Sequence, residues 1–281
     1  MTQVQRNAAY FATQVDTTEL ERLVHSARLR DPHVRDGLLR VGLAPGATVI
    51  DIGCGPLGAL LVLVDLVGPT GTVVGLDMDA PSLQHARTIL DQHGHRHVRL
   101  VHTSLTTMPP TAVCPPGPFD VAVCSQFLNN QPDPVDTLRR IAACVRSGGY
   151  LVVQSSLVFA PVPPSEPEVP ELAKVMAWWG ELMRRRKATP EVATRYHAVC
   201  QAAGLIEVSQ RGFFLVEAAQ AGTHLRMIYD ALVGLRAALV QEDIAPATDV
   251  DDVLHHLQEA ATWEFQMYCS GLHVELIAQV P

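Results

Sequence analysis

The chain's 281 residues, 48% of them hydrophobic and 18% charged, provide enough apolar material for one large or two small domains and too little charge for disorder. Lys and Arg total 21 against 29 Asp and Glu, and the resulting net charge of −8 excludes the basic field that general nucleic-acid binding needs. The six scattered cysteines form no C-x-x-C pair, the opening MTQVQRN is polar, and the longest apolar run is ALLVLV; these features argue against a disulfide framework, a signal peptide and a membrane span, and predict a cytoplasmic protein.

Residues 17–42 read as helical. Thr18 and Glu21 form a capping box, Leu20, Leu23, Val24 and Ala27 recur at helical spacing, and Pro32 opens a second short helix that stops near Gly42. Pro45-Gly46 then turns the chain into ATVIDI at 47–52, a β-branched run of strand length. Next comes an alternation: helix at 56–67, strand at 72–77, helix at 80–93, strands at 97–102 and 119–125, helix at 133–146 and strand at 150–156. Such alternation predicts an α/β fold, a doubly wound and mostly parallel sheet with helices on both faces. Pro161, Pro163, Pro164, Pro167 and Pro170 make a linker or lid hinge. Beyond it lie a helix carrying Trp178-Trp179 and Arg184 to Lys187, a helix opened by Thr189-Pro190 as N-cap and N1, a strand at 205–218, helices at 219–241 and 249–262, and a last strand at 273–280.

DIGCGPLG at 51–58 places Gly53, Gly55 and Gly58 in a G-x-G-x-x-G loop after a strand and before a helix, and Asp77 ends the next strand. Two cofactor classes fit. A dinucleotide would set its pyrophosphate on the helix N-terminus and its ribose on the acid. S-adenosylmethionine would use the same loop without a phosphate. Asp51 favours the second, because its charge repels a pyrophosphate and attracts an ammonium. Pro56 favours it too, since it removes an amide donor that only a phosphate would miss. A strand-rich tail after a helical insertion suits a sheet closed by an antiparallel pair.

These residues resemble the class I S-adenosylmethionine-dependent methyltransferases, in particular the small-molecule enzymes of bacterial secondary metabolism. The resemblance runs in order through VIDIGCG at 49–55, VVGLDMD at 73–79, VRLVHTSLTTMP at 98–109, FDVAVCSQFLNNQPDP at 119–134 and RSGGYLVV at 146–153. It implies a Rossmann-like sheet with an antiparallel edge strand and a helical cap. The chain then divides into an N-terminal helical lid at 1–40, a cofactor-binding core at 41–157, cap insertions at 158–204 and 219–262, and terminal strands at 205–218 and 263–281. It also implies that Asp51, Gly53, Gly55, Asp77, Met78, Ser104, Leu105, Ser125 and Tyr10 surround S-adenosylmethionine, with Asp77 on the ribose hydroxyls and Met78 against adenine. Two positions depart from the family pattern: Ser104 stands where an Asp often receives the adenine amino group, and Asn129-Asn130 stand where a His often precedes Asp-Pro.

Methyl transfer from a sulfonium is an in-line displacement, so placement in a dry site matters most and no metal is obligatory. A base is needed only for a poorly acidic acceptor. Tyr10, His25, His197 and His224 are candidates, with Tyr10 and His197 foremost, and Asn130 and Trp178 are candidate substrate contacts. His93, His95, His97 and His102 read as a solvated turn rather than a metal site, since no Cys or acid completes the set. Arg184 to Lys187 read as cations at a helix C-terminus, with an anion clamp as the alternative. The expected partner is a small, largely apolar metabolite, not nucleic acid or membrane, and a homo-oligomer is compatible with the sequence. Two other readings stand beside methyl transfer: a nicotinamide-dependent oxidoreductase, and a protein of this fold that binds the cofactor without transferring methyl.

Overall fold

The computed structural model describes residues 17–105, 118–157, 165–216, 221–268 and 271–281. Tyr10 lies outside the described residues. Seven strands, β1 (Thr48–Ile52), β2 (Thr72–Asp77), β3 (Arg99–His102), β4 (Phe119–Ser125), β5 (Val145–Ser156), β6 (Ile206–Phe213) and β7 (His273–Gln279), form one sheet in the order β3-β2-β1-β4-β5-β7-β6. The strands from β3 to β5 are parallel, and β7 runs antiparallel to both β5 and β6. The chain winds outward from β1 to β3 and returns at β4. The switch point, where crevices form in such sheets, therefore lies between the C-terminal ends of β1 and β4.

Helices cover both faces, which is why the central strands are continuous apolar runs. One face carries α1 (Thr17–Arg40), α2 (Leu60–Val67) and α3 (Ala80–Gln92): Val34, Leu38, Leu63 and Leu90 pack there against Val49, Val73, Val121 and Ile277. The other carries α4 (Pro134–Ala142) and α6 (Tyr196–Ala202), where Leu138, Ile141, Tyr196 and Val199 meet Ile50, Leu76, Leu151 and Leu276. The helices α5 (Glu171–Arg185), α7 (Ala221–Gln241) and α8 (Ala247–Ala260) build a separate apolar cluster around Leu172, Val175, Leu225, Leu232, Val250 and Leu257, and so form a cap with its own core. Among the described residues no helix is long and apolar enough to cross a membrane.

Three local expectations give way to the structure. The segment expected as two helices is one, α1, continuous through Pro32. Pro32 sits on the exposed side, so water can reach the carbonyl whose helical donor it lacks. Helix α2 starts at Leu60 rather than Pro56, because residues 56–59 are taken up by the loop. Thr189 is not a helix cap: its hydroxyl donates to the carbonyl oxygen of Gln131, and its amide to that of Asn129, pinning the chain to the turn after β4. A 3-10 turn at Val192–Arg195 then leads into α6, which packs on the sheet instead of in the cap.

The two halves of α1 sit differently. Gly37 lies so close to Val152 and the carboxylate of Glu275 that a Cβ there would collide with the latter. Glu275, fully buried, is held by Arg40, Arg211 and Gln154, which ties the C-terminal half of α1 to β5, β6 and β7. His33 stacks on Phe213 at 3.9 Å, and Phe213 is paired with His273, the residue opposite Ser156 at the C-terminal end of β5. Residues of α1 before His33 therefore overhang that end of the sheet, where they meet α7.

Candidate functional site

At the end of β1 the chain turns back on itself, and the amides of Gly53 and Cys54 both donate to the Leu76 carbonyl of β2, at 2.8 and 3.0 Å. Gly53 has φ +71°, and a Cβ there would run into the ring of Phe127. Gly58, at φ +52°, would drive a Cβ into the Asp51 carboxylate and the Cys54 carbonyl. Both positions are closed to any other residue without rearrangement.

Asp51 is buried directly behind this loop and accepts the Ala59 amide at 2.7 Å, holding the entry to α2. Burial pushes its carboxyl up to about 7 against the opposing pull of that amide, and the Asp77 charge raises it further. Asp77 ends β2 with its two oxygens aimed by separate amides, Gly55 at 2.7 Å and Asp79 at 2.9 Å. It is 7% exposed, and burial raises its pKa despite those bonds. The Thr103 amide donates to the Asp77 carbonyl at 2.9 Å, which brings Ser104 and Leu105 beside the end of β2; Leu105 closes over Ile52 and Leu76. Half-buried Met78 follows Asp77, with its carbonyl 3.0 Å from His102 Nε2.

The far wall is the end of β4. Gln126 has φ +56°, a conformation that costs a non-glycine residue energy and is kept only where neighbours enforce it. They do so here: its amide donates to the Gln154 carbonyl at 2.8 Å, its side-chain oxygen accepts the Ser156 hydroxyl at 2.6 Å, and Asn130 Nδ2 donates to its carbonyl at 2.8 Å. The bend lays Phe127 over Gly53 and leaves Ser125 Oγ, Gln126 Nε2 and Asn129 Oδ1 buried without partners. Asp51, Gly53, Gly55, Asp77, Met78, Ser104, Leu105 and Ser125 thus gather at the ends of β1, β2 and β4.

This set fits S-adenosylmethionine. A buried acid at the end of β2 is placed for a vicinal diol, nothing lies within 4 Å of where a Gly55 Cβ would stand, and unpartnered polar atoms at the end of β4 could serve a polar tail.

Other candidates are placed elsewhere. His197 is exposed and pairs with Glu207 Oε2 at 3.0 Å; Glu207 stands opposite Ala278, which pairs with Leu151 near the start of the parallel part of β5. His197 therefore lies toward the end of the sheet away from the glycine loop and is not placed to serve as a base there. Asn130 spends its amide on the Gln126 carbonyl, and Trp178 packs against the cap core. Arg184 pairs with Glu181 and Glu191, Arg185 with Glu181, and Arg186 with Glu242, so this run closes a helix end instead of forming a clamp. Among the described residues no three His, Cys, Asp or Glu are grouped to hold a metal.

His25 and His224, by contrast, come together, and with them come residues that sequence reasoning missed: Arg30, Asp31, His33 and His273. Burial first, then the charges of His25 and Arg30, lower His224 to about 4; burial, Arg30 and His224 lower His273 to about 3. No local signal marks this group, because its members come from three distant segments.

A family model described as a methyltransferase domain matches residues 43–203. A demethylmenaquinone methyltransferase of Anoxybacillus flavithermus is 29% identical over 118 residues, 42% of this chain and 48% of that protein. An arsenite methyltransferase of Aquipseudomonas alcaligenes is 34% identical over 119 residues, 41% of this chain and 34% of that one. The matches thus span half or less of these relatives' own lengths. Among solved structures, a candidate sarcosine dimethylglycine methyltransferase from Galdieria sulphuraria superimposes with a TM-score of 0.55 at 13% identity, covering 96% of this chain and 92% of that one, a likeness of fold.

Proposed function

The chain belongs to the methyltransferase-domain family, whose members use S-adenosylmethionine, and from that premise we propose that it transfers methyl to a small, largely apolar metabolite without a metal. The observation that carries the reading is the buried Asp77 carboxylate, aimed by two amides at the end of β2 beside the glycine loop. Asp51 keeps that loop in shape from behind, and Phe127 covers Gly53. The cofactor supplies an electrophilic methyl carbon that an acceptor attacks in line. The protein's part is to hold the acceptor at attack distance and exclude water, an effect worth up to roughly 7–11 kcal/mol of the barrier. The acceptor is expected under the cap, at the ends of β4, β5 and β7. The cap has its own apolar cluster, most of it from α7 and α8 beyond the matched residues 43–203, and the named relatives act on acceptors as unlike as a quinone precursor and arsenite, so the match supports the cofactor half of the reading. Bacterial secondary metabolism in the cytoplasm is the setting this reading favours, and the four described cysteines, all buried and outside any disulfide, agree with it.

Calorimetry with S-adenosylmethionine and its demethylated product tests the cofactor half. Micromolar binding is expected, weakened roughly a hundredfold, about 2.7 kcal/mol, by Asp77→Ala. No binding by the folded wild-type protein overturns the reading, and binding of NADH instead would restore the oxidoreductase. A screen of acceptors with isotopically labelled methyl donor tests the transfer half; cofactor binding with no labelled product across a broad panel would leave a protein that binds without transferring.

A further inference from the structure

The overhang of α1 carries a charge that the cofactor crevice does not use. Arg30 donates from Nη1 to Ser26 Oγ at 2.8 Å, while its Nε is buried without a partner and no acceptor among the described residues is bonded to Nη2. Beside it, His25 Nε2 and His273 Nδ1 are likewise buried and unpaired. His224 completes the group from α7, its ring 5.0 Å from that of Tyr268. A buried nitrogen left unsatisfied is costly, and a guanidinium more so than an imidazole. Burial lowers Arg30 only to about 10, so it stays charged at neutral pH, whereas His224 and His273 are neutral. Asp31, the next residue on α1, acts on Arg30 electrostatically but makes no ion pair with it, and burial holds its own carboxyl up near 6.

A groove of about 1060 Å³ reaches His25, running between α1 at Arg22, the start of α7 at Thr223 and Met227, and the segment after α8 at Trp263 and Phe265; Glu21, Asp230 and Glu264 stand among its outer walls. His25 belongs to both groove and cluster, and Phe265 meets Tyr268 edge-on at 5.8 Å. The cluster sits at the start of β7, where His273 pairs with Ser156 at the end of β5, two strands from β4. At the usual strand spacing that is roughly 10 Å from the end of β4.

We propose that Arg30, flanked by His25 and His273, is the recognition site for a carboxylate on the methyl acceptor, and that the acceptor is an elongated acid whose apolar body runs from this chamber along the ends of β5 and β4 to the glycine loop. The inference rests on the methyl-transfer reading of the crevice. The free edge of Arg30, Nε and Nη2, is the two-donor fork that matches a carboxylate. The separation calls for a carboxylate about 10 Å from the accepting atom, which reconciles an anionic end with a largely apolar substrate.

The test is calorimetry on the full chain, with and without saturating S-adenosylhomocysteine, using 4-phenylbutyrate and its neutral amide as probes. The acid is expected to bind at least tenfold more tightly than the amide. Arg30→Met should abolish that preference, Arg30→Lys should retain part of it, and S-adenosylhomocysteine affinity should stay within twofold in both variants. Equal binding of acid and amide, no binding of either to protein that binds S-adenosylhomocysteine, or an unchanged preference in Arg30→Met each overturns the proposal. If Arg30→Met does not fold, the wild-type comparison and Arg30→Lys decide. Loss of S-adenosylhomocysteine binding with the acid preference retained would sink the cofactor reading and leave the carboxylate site standing.

Discussion

The crevice at the ends of β1, β2 and β4 and the chamber at the ends of β5 and β7 share one edge of one sheet, yet they are made of opposite materials. The first is built from carboxylates, Asp51 and Asp77, that burial holds toward their neutral form. The second is built from imidazoles and a guanidinium that burial pushes toward deprotonation, completely for His224 and His273 at neutral pH and not for Arg30. The two carboxylates have their partners in place, amides aimed at each, whereas the end of β4 leaves Ser125 Oγ, Gln126 Nε2 and Asn129 Oδ1 without any and the basic side leaves three nitrogens in the same state. A finished hydrogen-bond set marks a scaffold that keeps its shape between ligands, and an unfinished one marks a place where a ligand completes the set.

The largest effect that separates the two regions should come from Gly58→Ala. The added Cβ meets Asp51 and the Cys54 carbonyl at a positive φ, so a loss of about 3 kcal/mol or more in urea unfolding is expected, together with loss of cofactor binding. Substitutions in the chamber should leave cofactor affinity nearly untouched.

Titration should pull the regions in opposite directions. Asp51 has a folded pKa near 7 against an unfolded 3.8, so its contribution is fully present below pH 3.8 and is lost as pH rises through 7. Asp51→Asn, which can still accept the Ala59 amide, should therefore gain on wild type between pH 4 and 8, by up to about 4 kcal/mol at the upper end. His224 and His273 have folded values near 4 and 3 against an unfolded 6.5, so their contribution is present above pH 6.5 and is lost as pH falls toward 3. His273→Phe should gain on wild type as pH falls over that window, by up to about 1.4 kcal/mol per pH unit. Denaturant melts of the three proteins across pH 3.5–8 would show it, and slopes of the same sign in both variants would break the comparison. The smallest effect belongs to Arg184→Ala at the exposed end of α5, expected within about 0.5 kcal/mol of wild type and without effect on turnover.

The same contrast explains what could be read in the sequence. The crevice is written in contiguous residues: a strand, a glycine loop, a second strand ending in Asp77. The helix starts around it are equally local, with Asp79 before Pro81 and Asp133 before Pro134 each accepting an amide three residues on. Pro32 and Thr189-Pro190 misled because their outcome depends on what lies outside the helix: open water for the first, the carbonyls of the β4 turn for the second. His197 and His273 look alike as single histidines in amphipathic segments. Only the pairing of β6 with β7 sends one to the far end of the sheet and the other to the chamber. Residues 25, 30, 224 and 273 meet through tertiary packing alone, which no spacing rule encodes.

The clasp on Glu275 gives α1 a mechanical character. Arg40 and Gly37 fasten its lower turns to the sheet, while the turns carrying His25 and Arg30 rest on α7, a helix of the cap. It is built as a cantilever, rooted at one end and loaded at the other. Bending it would open the groove between α1 and α7, while Arg35, paired with Asp65, keeps the root on the helix that follows the glycine loop.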